Sequence, residues 1–225
     1  MKVNMNQIKL VKIVMLTILL TPNFVLAQKN KKEIHKSIEK RTKEYEKIAK
    51  SIWNWAELGY QEEKSSALLK ETLSDEGFSI KSGVAEIPTA FIAEYGSGKP
   101  IIGILAEFDA LPGISQEVAI ERKPIQDQAG GHACGHHLFG TASTAAAIAV
   151  KQYLYKSKKK GTVRLYGTPA EEGGSGKVYM VRAGLFDDVD IVLDWHASDR
   201  NAANPGTSMA NRSAKFRFHG YSAHA

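Results

Sequence analysis

Gly131-His132-Ala133-Cys134-Gly135-His136-His137 runs straight into an alanine-rich stretch, Leu138 to about Tyr155, that reads as a helix. A loop of small and imidazole residues is thus delivered at the N-terminal end of a long helix. Cys134 is the only cysteine of the chain, so no internal disulfide is available to it. A lone cysteine is usually packed in a core. Here the neighbours are imidazoles and glycines rather than aliphatics, and that favours a ligand. Downstream, Ala170-Glu171-Glu172-Gly173-Gly174 and Asp194-Trp195-His196 add carboxylates and a further imidazole. Thiolate, imidazole and carboxylate together are the donors that a borderline-soft ion such as Zn²⁺ selects. A second carboxylate beside Glu172 is the proton shuttle that metal-assisted hydrolysis needs.

Working outward, residues 31–58 carry apolar groups at Ile34, Ile38, Tyr45, Ile48, Ile52, Trp55 and Leu58, the single stripe of one amphipathic helix with Gly59 as its stop. A second helix is expected from Lys64 to Glu76, ended by Gly77. Thr89 to Tyr95 and Ile101 to Leu105 read as strands joined in a hairpin by Gly96-Ser97-Gly98. Thr162 to Tyr166 and Asp190 to Asp194 read as further strands, with a helix around Gly176 to Ala183 between them. Strand, helix and strand in alternation predict an α/β sheet with helices on its faces. Asp109, His136, Glu171, Glu172 and His196 then fall beyond strand ends or in loops, where α/β folds build their sites. Asn201 to Asn211 reads as a connection between domains, and Ala214 to His219 as a strand opening a new sheet.

Composition narrows the function classes. An apolar fraction of 43% over 225 residues suits an ordinary globular core. Of the net charge of +6, half comes from Lys2, Lys9 and Lys12, unbalanced by any acidic residue within 1–27. The remainder is too mildly basic to argue for nucleic acid, and no aromatic-interleaved basic stripe is present. Lys156 to Lys160 reads as a solvated helix end. The basic flank, the apolar run Ile13 to Leu20 and Val25-Leu26-Ala27 form a signal-peptide pattern, interrupted by Pro22 and Asn23. Residues 1–27 are therefore expected to be a cleaved leader, with the mature chain starting at Gln28. The expectation is an exported protein without a membrane anchor after cleavage.

Six signatures stand in order: Glu57-Leu58-Gly59 with Glu62-Glu63, Ala106-Glu107-Phe108-Asp109-Ala110-Leu111-Pro112-Gly113, His132-Ala133-Cys134-Gly135-His136, Thr168-Pro169-Ala170-Glu171-Glu172-Gly173-Gly174, Trp195-His196, and Gly220-Tyr221-Ser222-Ala223-His224-Ala225. In this order they resemble the cocatalytic metallopeptidases of the aminoacylase and carboxypeptidase type. The branch most similar contains hippurate hydrolase, the plant indole-acetyl-amino-acid hydrolases and p-aminobenzoyl-glutamate hydrolase. The resemblance implies a three-layer sheet-and-helix catalytic domain (28–205) followed by the start of an inserted α+β dimerisation or lid domain (206–225). It implies two divalent ions, Zn or Mn, bridged by Cys134. One ion would take Cys134, His136 and His196; the other would take Cys134, Glu172 and a histidine beyond Ala225, so that one tight site is expected in the present residues. Glu171 matches the general base, Asp109 an acidic residue supporting the metals, and His224 a lid histidine that steadies the oxyanion in the partner subunit. The implied activity is hydrolysis of N-acyl or aroyl amino acids, p-aminobenzoyl-glutamate-like small molecules, by a homodimer.

Some alternatives remain open in the sequence. The branch usually has Asp or Asn where this chain has His137, and three histidines (His132, His136, His137) crowd Cys134; spacing favours His136. His35 and His219 have no motif around them and read as surface or packing residues. A metal-binding remnant without catalysis, and an exported binding protein with a merely buried Cys134, are the competing readings.

Overall fold

The computed structural model describes residues 30–203 and a few isolated positions beyond them. The expected leader, His224 and part of the expected lid strand (Lys215 and Phe218) lie outside the described residues.

The amphipathic stripe forms two helices rather than one. Helix α1 covers 30–39 and α2 covers Thr42–Trp55. The break falls at Lys40-Arg41, where the Arg41 guanidinium turns away to bond Glu44 and Glu76. Helix α2 also stops at Trp55, ahead of the expected Gly59, with Ala56 in a left-handed cap. Glu57 and Leu58 have other tasks. The Glu57 carboxylate accepts the backbone N–H groups of Lys64 and Ser65, satisfying free donors at the start of α3 (Glu63–Asp75). Leu58 bridges to Ala110.

The main sheet contains β1 (Ser79–Ser82), β2 (Phe91–Ser97), β3 (Ile101–Ala106), β6 (Gly161–Gly167) and β7 (Ile191–Leu193), in the order β1-β2-β6-β3-β7. Short strands β4 (Leu111–Pro112) and β5 (Gly130–Gly131) pair separately. The expected hairpin is not formed. β6 lies between β2 and β3, antiparallel to the first and parallel to the second. Its side chains are buried along almost its whole length, so it belongs in the centre of a sheet with a partner on each side. The link from β3 to β6 is therefore a crossover through α4 (His136–Ser157), the connection parallel neighbours require.

Alternation along the strands divides the core into two layers. Phe91, Ala93, Val163 and Leu165 face α2, α3 and α4, meeting Ile48, Ile52, Leu69, Leu73 and Ile148. Ile92 and Tyr166 face the other way, onto Val84, Ile87 and Met180 of the opposite layer. That layer carries the single turn α5 (Glu171–Gly174) and α6 (Gly176–Arg182). The result is the expected sandwich of helices, sheet and helices. At the sheet edge, the aliphatic side chains of β7 are exposed. Among the described residues no helix is long and apolar enough to cross a membrane.

Topology aligns the chemistry. β3, β6 and β7 run parallel, so their carboxyl ends share one rim of the sheet, and the N-terminus of α4 opens on that rim. Helix α4 reaches it because Gly140 lies against the chain after β3: a Cβ there would sit 2.7 Å from the Glu107 carbonyl oxygen and 3.3 Å from Leu69. Gly140→Ala should therefore destabilise the protein. The helix-propensity gain of about 1 kcal/mol is outweighed by overpacking of about 1–3 kcal/mol. A raised midpoint in urea unfolding would refute this account of the helix–strand contact.

Candidate metal centre

Three strand ends and one helix start bring the chemistry together. Beyond β3 come Glu107 and Asp109; beyond β6 come Glu171 and Glu172; beyond β7 comes His196; and Cys134 and His136 stand at the head of α4. His136 is fully buried. Its Nδ1–H donates to Asp109 Oδ1 at 3.0 Å, which leaves Nε2 as the free nitrogen. His196 follows the same scheme: Nδ1–H donates to the Ala197 carbonyl at 3.0 Å, and Nε2 faces Cys134 Sγ at 3.3 Å. When the outer nitrogen of an imidazole is tied to an oxygen acceptor, the inner one is fixed as a lone-pair donor for a metal. The ligand atoms of Cys134, His136 and His196 lie within 4.8 Å of one another, as do those of Glu107, His136 and Glu171.

The donor set fits a metal ion by a further criterion. His136 Nε2, Glu107 Oε2 and Glu172 Oε1 are buried polar atoms without a hydrogen-bond partner. Unpaired buried polar atoms are costly and call for an explanation. These three converge: Nε2 of His136 is 2.9 Å from Glu107 Oε2 and 3.9 Å from Glu172 Oε1. A cation among them satisfies all three at once.

The two glutamates after β6 have different surroundings because the backbone turns between them. Ala170 is left-handed (φ 55°), Glu172 leaves the helical region (ψ 81°), and Gly173 has φ 78°. The Ala170 N–H is held by the buried Glu62 Oε1 at 2.8 Å, and the Glu172 N–H by Asp109 Oδ2 at 2.9 Å. Glu172 is turned inward with 17% of its side chain exposed, whereas Glu171 remains 43% exposed, with Oε2 3.8 Å from His136 Nε2. Burial, followed by the charge of Glu107, pushes the Glu171 carboxyl above the usual carboxylate range.

The three histidines differ in their surroundings. His132 Nε2–H donates to the Ile52 carbonyl at 3.1 Å, and His137 packs edge-on to Trp53 at 4.9 Å. Burial pushes both down to about 4, so they are neutral packing groups beside the centre. Phe139 packs at 5.2 Å from Trp195, the residue before His196. Sequence reading missed Glu107, which is buried at the site with its other oxygen ion-paired to Lys177 of α6. The signal was available: Glu107 is two residues from Asp109 at a strand end, the spacing that puts side chains on one face. His224 lies outside the described residues.

A match to the model of peptidase family M20/M25/M40 covers residues 103–222. The chain belongs to that family. It is 45% identical over 193 residues to a subunit of p-aminobenzoyl-glutamate hydrolase from Escherichia coli, covering 85% of this chain and 40% of that protein. Hippurate hydrolase of Campylobacter jejuni is 31% identical over 155 residues, covering 68% of this chain and 39% of the relative. Among solved structures, a Bacillus subtilis dinuclear metal binding peptidase of the M20 family superposes with a TM-score of 0.60 at 27% identity, over 72% of this chain and 44% of that one. The chain thus spans about two fifths of the length of the curated relatives it matches.

Electrostatics gives the binding equilibrium a direction. Burial, then Glu172, pushes the Cys134 thiol up to about 12. Burial opposes a charged His136, but Asp109 and Glu107 outweigh it and raise the imidazolium to about 10. Both groups hold protons at neutral pH in the metal-free chain, and both must lose them to ligate. Apparent metal affinity should therefore rise with pH through neutrality, by up to roughly a hundredfold per unit if two protons leave. Chelator competition at several pH values checks this, and a flat affinity between about pH 6 and pH 8 would contradict it. Asp109→Ala should cost about 10–100-fold in metal affinity by releasing the His136 ring.

Proposed function

We propose that this chain carries the metal centre of an exported amidohydrolase that cleaves N-acyl or N-aroyl amino acids, with p-aminobenzoyl-glutamate-like molecules as the preferred class. The carrying observation is the convergence of two Nδ1-anchored imidazoles, a thiol and the inward Glu172, with a half-exposed Glu171 beside them. Likeness to the p-aminobenzoyl-glutamate and hippurate hydrolases supports the substrate class.

The protein's own residues divide the work. Cys134, His136 and His196 would hold one divalent ion, and Cys134 with Glu172 would contribute to a second. Such ions supply Lewis acidity, acidifying a water and polarising an amide carbonyl. Asp109 keeps Nδ1 of His136 protonated and the ring oriented. Glu171 takes a proton on its exposed carboxylate from the attacking water and hands it to the departing amine nitrogen. A carboxyl whose affinity for protons is raised suits both steps. The active unit is a homodimer in this reading, with His224 serving the partner's site.

Assay of the metal-loaded protein against p-aminobenzoyl-glutamate and N-benzoylglycine tests the proposal, with release of the free amino acid expected and its loss on chelation. Glu171→Gln should lower kcat by about 10²–10⁴-fold with metal content unchanged. Cys134→Ser should lose metal and activity together. Near-normal turnover in the Glu171 variant would remove the base from this scheme. For export, N-terminal sequencing of material outside the cytoplasm should begin at Gln28; a retained leader in a membrane fraction would refute it.

A further inference from the structure

The ion pair between Glu107 and Lys177 lies at the metal centre without a role in the scheme above. Glu107 is 4% exposed and its two oxygens have different surroundings. Oε1 is gripped by the Lys177 ammonium of α6. Oε2 has no hydrogen-bond partner and lies 2.9 Å from His136 Nε2. That separation is short enough for one shared proton or one shared cation. The Nδ1–H of His136 is already given to Asp109, so a neutral ring presents a lone pair from Nε2 to a carboxylate lone pair. Two lone pairs at this distance repel unless a proton or a metal cation is shared between them.

The separation itself is informative. Two oxygen or nitrogen donors each about 2.1 Å from one ion lie roughly 3.0 Å apart at right angles and about 3.4 Å apart in a tetrahedral shell. Glu107 Oε2 and His136 Nε2 are close to the shorter of these spacings, and Glu171 Oε2 lies 3.8 Å from the same nitrogen, within reach of a water on the ion. We propose that Glu107 is itself a metal ligand, donating Oε2 to the ion held by His136, and that Lys177 is a positioning residue that locks the carboxylate rotamer through Oε1. The proposal rests on the metal-centre reading above and deepens it. Lys177 has a second effect of the same sign. It offsets one negative charge in a pocket that also contains Asp109, Glu171 and Glu172, which lets a fourth carboxylate approach without the pocket becoming too anionic.

Cobalt titration of the full chain tests the idea, reading affinity by chelator competition and coordination by the visible Co²⁺ bands. Glu107→Gln, nearly isosteric, should weaken Co²⁺ at least tenfold and change the band intensity, as expected when a ligand is lost. Lys177, with 27% of its side chain exposed, can turn to solvent in that variant, so folding should survive. Glu107→Asp keeps the charge but shortens the reach, and should also bind weakly. Lys177→Met should weaken binding by a smaller factor and leave the band pattern close to that of the unaltered protein. Wild-type affinity and spectrum in Glu107→Gln would overturn the assignment. So would full affinity in Glu107→Asp, because charge alone would then suffice. Cys134→Ser separates the two readings: if it loses Co²⁺ while Glu107→Gln does not, the centre stands and only the Glu107 ligand fails. No cobalt bound by the unaltered chain would overturn both.

Discussion

Asp109 is where the site is tied to the fold. One of its oxygens takes the Nδ1–H of His136 at the head of α4, and the other takes the backbone N–H of Glu172 beyond β6. It follows β3 directly, so a single buried carboxylate fixes three segments that are distant in sequence. Charge-assisted bonds of this kind are about twice as strong as neutral ones, and here they are shielded from water. The rotation of one imidazole and the position of one turn thus depend on the same side chain. Replacing it would disturb both together, which is why Asp109 supports the centre without ligating anything in the scheme above.

The same convergence creates an electrostatic problem that the fold alone does not solve. Glu107, Asp109, Glu171, Glu172 and Asp194 gather near one rim, and burial raises the Asp194 carboxyl further, with Glu107 adding to it. Lys177 and a protonated His136 are the nearby positive groups. Removing carboxylates from water costs several kcal/mol per ion unless opposite charge replaces the lost solvation. The metal-free pocket answers by keeping protons on Cys134 and His136. Divalent cations would answer the same problem and would also engage the unpaired atoms.

Much of this is legible in the sequence, and the failures have a common cause. α3, α4, α6 and strands β2, β3, β6 and β7 are readable because their signals are local: an apolar period, a glycine stop, a short β-branched run; β1, β4 and β5 are too short to carry one. The hairpin reading fails because Gly96-Ser97-Gly98 describes only the turn, while pairing is decided by β6, more than sixty residues downstream of that turn. The stripe over 31–58 reads as one helix because periodicity cannot see Arg41 reaching Glu76 across the fold. Spacing favours His136; what distinguishes it from His132 and His137 is Asp109, a contact that no local pattern records. Glu107 stands within a recognisable motif, yet its role becomes visible only once Lys177 and His136 are beside it.

Glu62 shows how far the arrangement of the site extends into the core. This fully buried carboxyl is pushed above the usual range by burial, and its bonds to Ala170 and Thr89 pull the other way. It holds the N–H of Ala170, an L-residue in the left-handed region, a conformation that costs of order 1–3 kcal/mol and persists only where surroundings enforce it. Gly59 contributes from the other side, since a Cβ there would lie 3.0 Å from Ala170. The strain has a chemical consequence. A relaxed helical turn after β6 would place Glu171 and Glu172 along one regular spiral. The left-handed start and the break at Glu172 instead turn one carboxylate inward toward His136 and leave its neighbour at the mouth. Two adjacent glutamates acquire different surroundings through backbone geometry alone, and that geometry is enforced from the link between α2 and α3 by Glu62 and Gly59.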